Sequence, residues 1–409
     1  MSEARKTSLF GVAALALVAL AWVTAPRVGV PEMFADRGEI LFPEFRDPNA
    51  AASLEVIEFD ARTATVRPFK VQNRQGRWTI PSQYDYPADA GDRLARTAAA
   101  VIALRRDDFA SDSAADHERC GVLDPLDTTL PTLGGRGTRL IVRGERDQVL
   151  ADVIIGHPVE NASGFRYVRM AGQRRVYISN VGDWSISTAF GDWIDRDLLR
   201  INPGEIDAIN LRNYSLDRTT RRVTPGDTLL LEKSAGGAWT LNDLGANEQL
   251  DLGALDGLLR NLVSLTIAGV LPKPAGIGAT LTQEISSAEV TKEDREDLAR
   301  KGFYLLPTGE LVSNRGEMIV RTTGDVFYTL RFGDVAPGTE GPSENRYLFV
   351  MVDHDPRPTT PPGRADEGAD QTQLLRARFA PWYYVIAANS MGAIQLGRSE
   401  LVSVRNRLP

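Results

Sequence analysis

The residues of this 409-residue chain that could do chemistry are few and scattered. His117 and Cys120 make a lone His-x-x-Cys, and the other two histidines, His157 and His354, lie far from it along the chain. A zinc site takes three or four ligands with a supporting shell, so the pair reads as a surface histidine beside a buried cysteine. Asp353-His354-Asp355 could grip a hard cation, but no further oxygen ligand is placed beside it. There is no Gly-x-Ser-x-Gly elbow, and Cys120 sits in HERCGVLDP, the pattern of a packed loop. Acid pairs such as those in RRDDFASD and GDWIDRD are common by chance among 54 acidic residues, and glycosidase chemistry would need two carboxylates in one cleft. GGRG at Gly134 lacks the Lys-Ser/Thr ending of a phosphate loop, and GIGATL at Gly276 lacks a third glycine and a preceding strand. No catalytic, cofactor-binding or metal-binding residue is assigned, and the chain is read as a non-enzyme without a cofactor.

Two basic groups could still bind something. Arg166, Arg169, Arg174 and Arg175 fall on a predicted hairpin, and Arg218, Arg221 and Arg222 on a turn. They suit an anionic envelope polymer, lipid head groups or an acidic partner, with a plain solvated face as the alternative. A formal net charge of -7 argues against a general nucleic-acid binder, which needs a basic face to displace counterions. A single cysteine excludes an intrachain disulfide.

The elements that would position these residues are written twice. GRWTIPSQYDYPADAGDRLARTAAAVIAL begins at Gly76, and GAWTLNDLGANEQLDLGALDGLLRNLVSL begins at Gly237. Ile57 matches Ile209, Trp78 matches Trp239, Gly156 matches Gly333, Arg166-Tyr167-Val168 matches Arg346-Tyr347-Leu348, and Trp193 is paired with Trp382. The order holds throughout, as expected of a diverged tandem duplication. Leu94, Ala98, Val101 and Leu104 recur at helical spacing and align with Leu255, Leu259, Leu262 and Leu265. Short alternating strands follow in each copy, so the expected class is α+β, with mostly antiparallel sheets and packed helices in two tandem repeated domains. A closing helical segment is expected to carry Trp193 in one copy and Trp382 in the other. Four tryptophans at matching places read as core anchors more than as a sugar platform.

The chain opens with Arg5 and Lys6 before an uncharged run, LFGVAALALVALAWVTA, from Leu9 to Ala25. At about 1.5 Å per residue it spans about 25 Å, close to the hydrocarbon core of a bilayer. The preceding positive charge predicts a cytoplasmic N-terminus and an extracytoplasmic remainder; a cleaved signal peptide is the competing reading. The expected organisation is a cytoplasmic end (1–8), a transmembrane anchor or signal (9–25), a juxtamembrane spacer (26–52), a first domain (53–203) and a second domain (204–409). The second carries a proline-rich, mobile insertion at 353–370. SSAEVTKEDREDLARKG is expected to be a polar surface helix capped near Ser287 or Thr291.

GRWTIPSQYDYPAD with its helix, DFASDSAADHERCGVLDP, LADVIIG followed by YVRM and VYIS, and DWIDRDLL together resemble the bacterial domain of unknown function 4340. The likeness covers most of residues 54–200, and the second copy lacks the YPAD segment. The resemblance implies a membrane-attached extracytoplasmic protein, held in the inner membrane by one span and associated with an ABC transporter permease of the gliding-motility type. It supplies no catalytic residues.

Overall fold

The computed structural model describes residues 14, 17, 18 and 36–404, apart from 90, 130, 183–186, 218–219, 221, 275–276, 278–289 and 338–344. The apolar run from Leu9 to Ala25 lies almost wholly outside the described residues, among which no helix is long and apolar enough to cross a membrane.

Among the described residues, alternating, β-branched-rich segments pair into two large antiparallel sheets, beside three two-stranded ones. The first contains β1 (Ser53–Asp60), β2 (Thr65–Arg74), β3 (Arg77–Ile80), β4 (Tyr86–Pro87), β5 (Asp108–Ser111), β6 (Thr138–Arg143), β7 (Val149–Pro158), β8 (Phe165–Met170) and β9 (Val176–Asn180). Its nine strands run β4-β3-β2-β1-β6-β7-β8-β9-β5. The second contains β10 (Ile206–Arg212), β11 (Thr228–Lys233), β12 (Trp239–Leu241), β13 (Gly269–Pro272), β14 (Glu317–Thr322), β15 (Val326–Val335), β16 (Arg346–His354) and β17 (Trp382–Ile386). Its eight strands run β12-β11-β10-β14-β15-β16-β17-β13, the same order with β4 left out. The α-helices among the described residues include α1 (Gly91–Ala103), α2 (His117–Cys120), α3 (Leu252–Val263), α4 (Lys292–Arg300), α5 (Pro362–Phe379), α6 (Ala388–Gly392) and α7 (Arg398–Leu401).

The spacing read from sequence explains the two core helices. α1 buries Leu94, Ala98 and Val101, and α3 buries Leu255, Leu258, Leu259 and Leu262, starting where the Asp251 side chain accepts from the Ala254 N–H. Each fully buried leucine contributes about 1.5–3 kcal/mol. These residues join Val56, Val142 and Val153 of the first sheet and Leu211, Val320 and Tyr328 of the second in one continuous cluster. α4 begins at Thr291, in a capping box with Asp294, as expected from the second of the two cap candidates.

The pairing registers refine the matched positions. Leu140 lies opposite Val56 on β1 and Val153 on β7, while Met318 lies opposite Leu211 on β10 and Leu330 on β15. Leu54 and Val56 therefore stand where Ile209 and Leu211 do, and the expected match of Ile57 with Ile209 is three strand positions out. Alternation did not reveal this because both faces of β1 are covered, with Val56 and Ile57 each buried. Trp78 and Trp239 do correspond, opposite Asn73 and Lys233. Trp193 and Trp382 do not: Trp193 lies in a 3-10 turn after β9, whereas Trp382 opens β17, the strand in the place of β9. The closing segment is thus a strand in the second sheet and one short turn in the first.

Two further expectations change. Residues 36–52 are part of the folded body: Leu41 and Phe45 are buried, the Leu41 N–H donates to the Leu104 carbonyl, and Tyr177 donates to Asp36. Charge and proline in that stretch masked the apolar residues between them. Only 355–361 of the segment at 353–370 is a loop, since Asp353 and His354 end β16 and α5 starts at Pro362. Proline at the first helical position has the right φ and no N–H to lose. Gly368, Thr372, Leu375 and Phe379 form the buried stripe, and the last three lie beyond the window that looked polar.

Candidate functional site

The GRWTIPSQYDYPAD stretch lies where the two sheets meet. β3 ends at buried Ile80, and Pro81–Gln83 make one 3-10 turn. Tyr84 and Asp85 then both adopt the left-handed region, with φ of 57° and 60°. Such residues each cost about 1–3 kcal/mol unless their surroundings hold them. Here the Asp85 carboxylate accepts from Arg74 at 2.7 Å, and its N–H donates to the Ile80 carbonyl. The reversal leaves Tyr84 55% exposed and buries Tyr86.

Tyr86 is the contact between the sheets. Its ring sits edge-on to Phe190 at 5.8 Å and to Trp382 at 5.1 Å. Behind it the Tyr384 hydroxyl donates to the Arg378 carbonyl at 3.0 Å. Burial pushes the Tyr86 phenol above its ordinary value, so it stays neutral. The chain between the sheets adds to the joint: the Leu198 N–H donates to the Leu265 carbonyl and the Ile267 N–H to the Arg196 carbonyl.

Two cavities flank this turn. The larger, about 700 Å³, is walled by Arg77, Trp78, Tyr86 and Asp89 of the first sheet, Asp195 and Arg200 of the connection, and Arg378 and Trp382 of the second. The smaller, about 490 Å³, lies between Phe69, Gln83, Tyr84 and Phe190 on one side and Gly269–Leu271 on the other. Both fall in the size range of small-ligand sites, which favour such junctions. Asp195 pairs with Arg200 at 2.5 Å and with Arg378 at 3.2 Å. Burial alone would raise its carboxyl, but the Arg200 hydrogen bond and both guanidinium charges outweigh this and hold it below the usual carboxylate range.

The residues singled out from sequence are placed elsewhere. His117 is buried with Nε2 2.7 Å from the Arg174 carbonyl oxygen, and Cys120 is buried among Val122, Ile154 and Val176. Burial raises the Cys120 thiol, away from a reactive thiolate. Asp353 pairs with Arg376 at 2.6 Å, and the Asp355 N–H donates to the Asp325 carbonyl. Among the described residues no group of three or more His, Cys, Asp or Glu could hold a metal ion. The arginine hairpin exists as β8 and β9, but its guanidiniums serve the fold. Arg166 donates to the Gly156 carbonyl, and buried Arg169 to those of Val122 and Gln173. Arg175 pairs with Asp36 and Asp112 over the Phe109 ring. Arg218 and Arg221 lie outside the described residues, and Arg222 is exposed. Trp193 is a core anchor, whereas Trp78 and Trp382 also face the larger cavity. The sequence did hold a signal for the junction: YPAD has no equivalent in the similar stretch after Gly237.

Fold and cleft define a mixed α/β protein of mostly antiparallel sheets, with a ligand-sized cleft at their joint. The chain belongs to the family described as Domain of unknown function (DUF4340), whose model matches residues 78–283. The match starts at Trp78 and runs past residue 200 into the second sheet, so it spans the junction instead of ending with the first sheet. No curated protein and no solved structure is matched by the chain.

Proposed function

We propose that this protein is a membrane-anchored, extracytoplasmic accessory or scaffold subunit, an auxiliary component of an ABC transporter of the gliding-motility type, and that its sheets are diverged tandem copies of one unit. The observation that carries the reading is the repeated strand order, with the two sheets meeting at one joint. Two related surfaces at fixed spacing can engage a repeated or two-fold partner with high effective concentration. The run from Leu9 to Ala25 is the anchor in this reading, with the rest of the chain beyond the inner membrane. A hydrolase is disfavoured because Asp195, at the cleft, is tied to Arg200 and Arg378, which hold it as a carboxylate and not as a proton-donating acid. Binding through the arginine hairpin is disfavoured because Arg166, Arg169 and Arg175 hold the chain's own groups.

Crosslinking the tagged, membrane-extracted protein in its native cell, followed by mass spectrometry, tests this. A permease or ATPase recovered in near-equal amount is the expected result. Recovery of the protein alone under mild detergent overturns the scaffold reading.

A further inference from the structure

The larger junction cavity has chemistry that the scaffold reading does not use. Its walls combine half-buried aromatic rings with planar charged groups in equal number: Arg77, Arg200 and Arg378 against Asp85, Asp89 and Asp195. Equal numbers leave no net field to draw a polyanion or a polycation into it. A lipid chain is less well suited, because six charged side chains share the lining with the aromatic rings and would lose hydration beside it. An extended peptide would need a free strand edge to pair with. The nearest edge, β4, is two residues long and ends in Pro87, which has no N–H to give.

What remains suited is a neutral ring that carries hydroxyls on its rim and C–H groups on its faces. We propose that this cavity binds a pyranose saccharide. Trp382, held edge-on by Tyr86 at 67°, supplies a fixed flat surface for the C–H face of a sugar. Asp195, Arg200 and Arg378, held in place by one another, offer lone pairs and N–H groups already fixed in direction, so little ordering is lost on binding. Arg77 and Asp89 are exposed at the rim, and among the described residues neither side chain has a hydrogen-bond or ionic partner. They provide a donor and an acceptor for hydroxyls of a second ring. The site takes walls from both sheets and their connection, so it exists only in the intact chain. The proposal does not depend on the scaffold reading and can fail or hold without it.

The test is titration of the full chain, in a detergent without sugar head groups, with cellotriose, maltotriose and N,N′,N″-triacetylchitotriose. It is read by tryptophan fluorescence and by calorimetry. At least one trisaccharide is expected to saturate with a Kd of about 1 mM or tighter, and the R77A/D89A double variant to weaken it about tenfold. That variant removes exposed groups without partners, so circular dichroism should be unchanged. W382A should abolish binding, and R174A, on the distant hairpin, should leave it intact. Three results overturn the proposal: no saturation by any of the three sugars, affinity unchanged in the folded double variant, or saturable binding of trialanine in their place.

Discussion

In the first sheet Cys120 ends a helix ahead of Gly121, and its carbonyl packs on Gly156; in the second, Lys301 and Gly302 follow a helix and the Lys301 carbonyl packs on Gly333. Both glycines after the helices have positive φ, and a methyl at either sheet glycine would fall within 3.0 Å of that carbonyl. The backbone arrangement is the same, yet the side chains around it differ. Behind the first sheet lie Cys120, Val122, Ile154 and Val176. Behind the second lie Phe303, Phe349 and Tyr383, with Lys273 Nζ 3.8 Å from the Phe349 ring centre and Lys301 Nζ 4.7 Å from that of Tyr383. The registers put Phe349 where Arg169 stands, opposite Arg331 and Ile154 respectively. Topology is held by missing Cβ atoms and strand pairing, which leaves the filling chemistry free to diverge.

The largest effect that could break this comparison is at Glu317. It is 2% exposed and paired with Arg331 at 2.9 Å and with Arg212. E317A should cost about 3–5 kcal/mol, because two guanidiniums lose their counter-charge. The matching position in the first sheet is Arg139, whose partners Asp124 and Asp152 are about a quarter exposed. R139M should therefore cost clearly less in urea unfolding, and equal losses would show that the two back faces are alike after all.

Lys273 offers a second contrast. Burial lowers its amine from 10.5 to about 7, while its Nζ donates to the Phe379 carbonyl and has Lys301 and Tyr383 nearby. Above about pH 7 the unfolded chain holds a proton there that the folded chain lacks. This residue should then make stability rise with pH from about 7 to 10.5 and contribute no slope below that window. K273M should remove that rise from the pH dependence of unfolding; an unchanged slope would show that Lys273 is not the group responsible.

Smaller effects sharpen the likeness instead. G156A and G333A should each destabilise by about 1–3 kcal/mol, since a backbone carbonyl has to move. Similar values from thermal or urea unfolding would support one shared device, and a tolerated substitution at one site would separate them. The joint itself should respond least: Y86F keeps the ring contacts with Phe190 and Trp382 and removes only a hydroxyl at the cleft wall, so a loss of no more than about 0.5–1.5 kcal/mol is expected from urea unfolding.

Much of this fold could be read along the chain. Helical spacing marked Leu94, Ala98 and Val101 and their counterparts near Leu259, and the Thr291 cap announced α4. These signals are local: they depend on residues three or four apart, or on one side chain reaching its own backbone. Where the signal needed a partner far away, it weakened. α5 looked like a loop because its apolar stripe only makes sense against β16, and Leu41 and Phe45 looked like spacer because the core they enter is built from later strands.

The amino-acid order alone determined the mixed α/β class, the mostly antiparallel pairing and the doubled pattern of elements, because alternation and turn chemistry are properties of short segments. Only the tertiary structure decided the register of β1, the role of Arg166, Arg169 and Arg175 as internal donors, and the cleft between the sheets. Those depend on which surfaces meet. The cleft is made by Trp78, Asp195 and Trp382, residues brought together by the packing of one sheet against the other and by nothing in their neighbours along the chain.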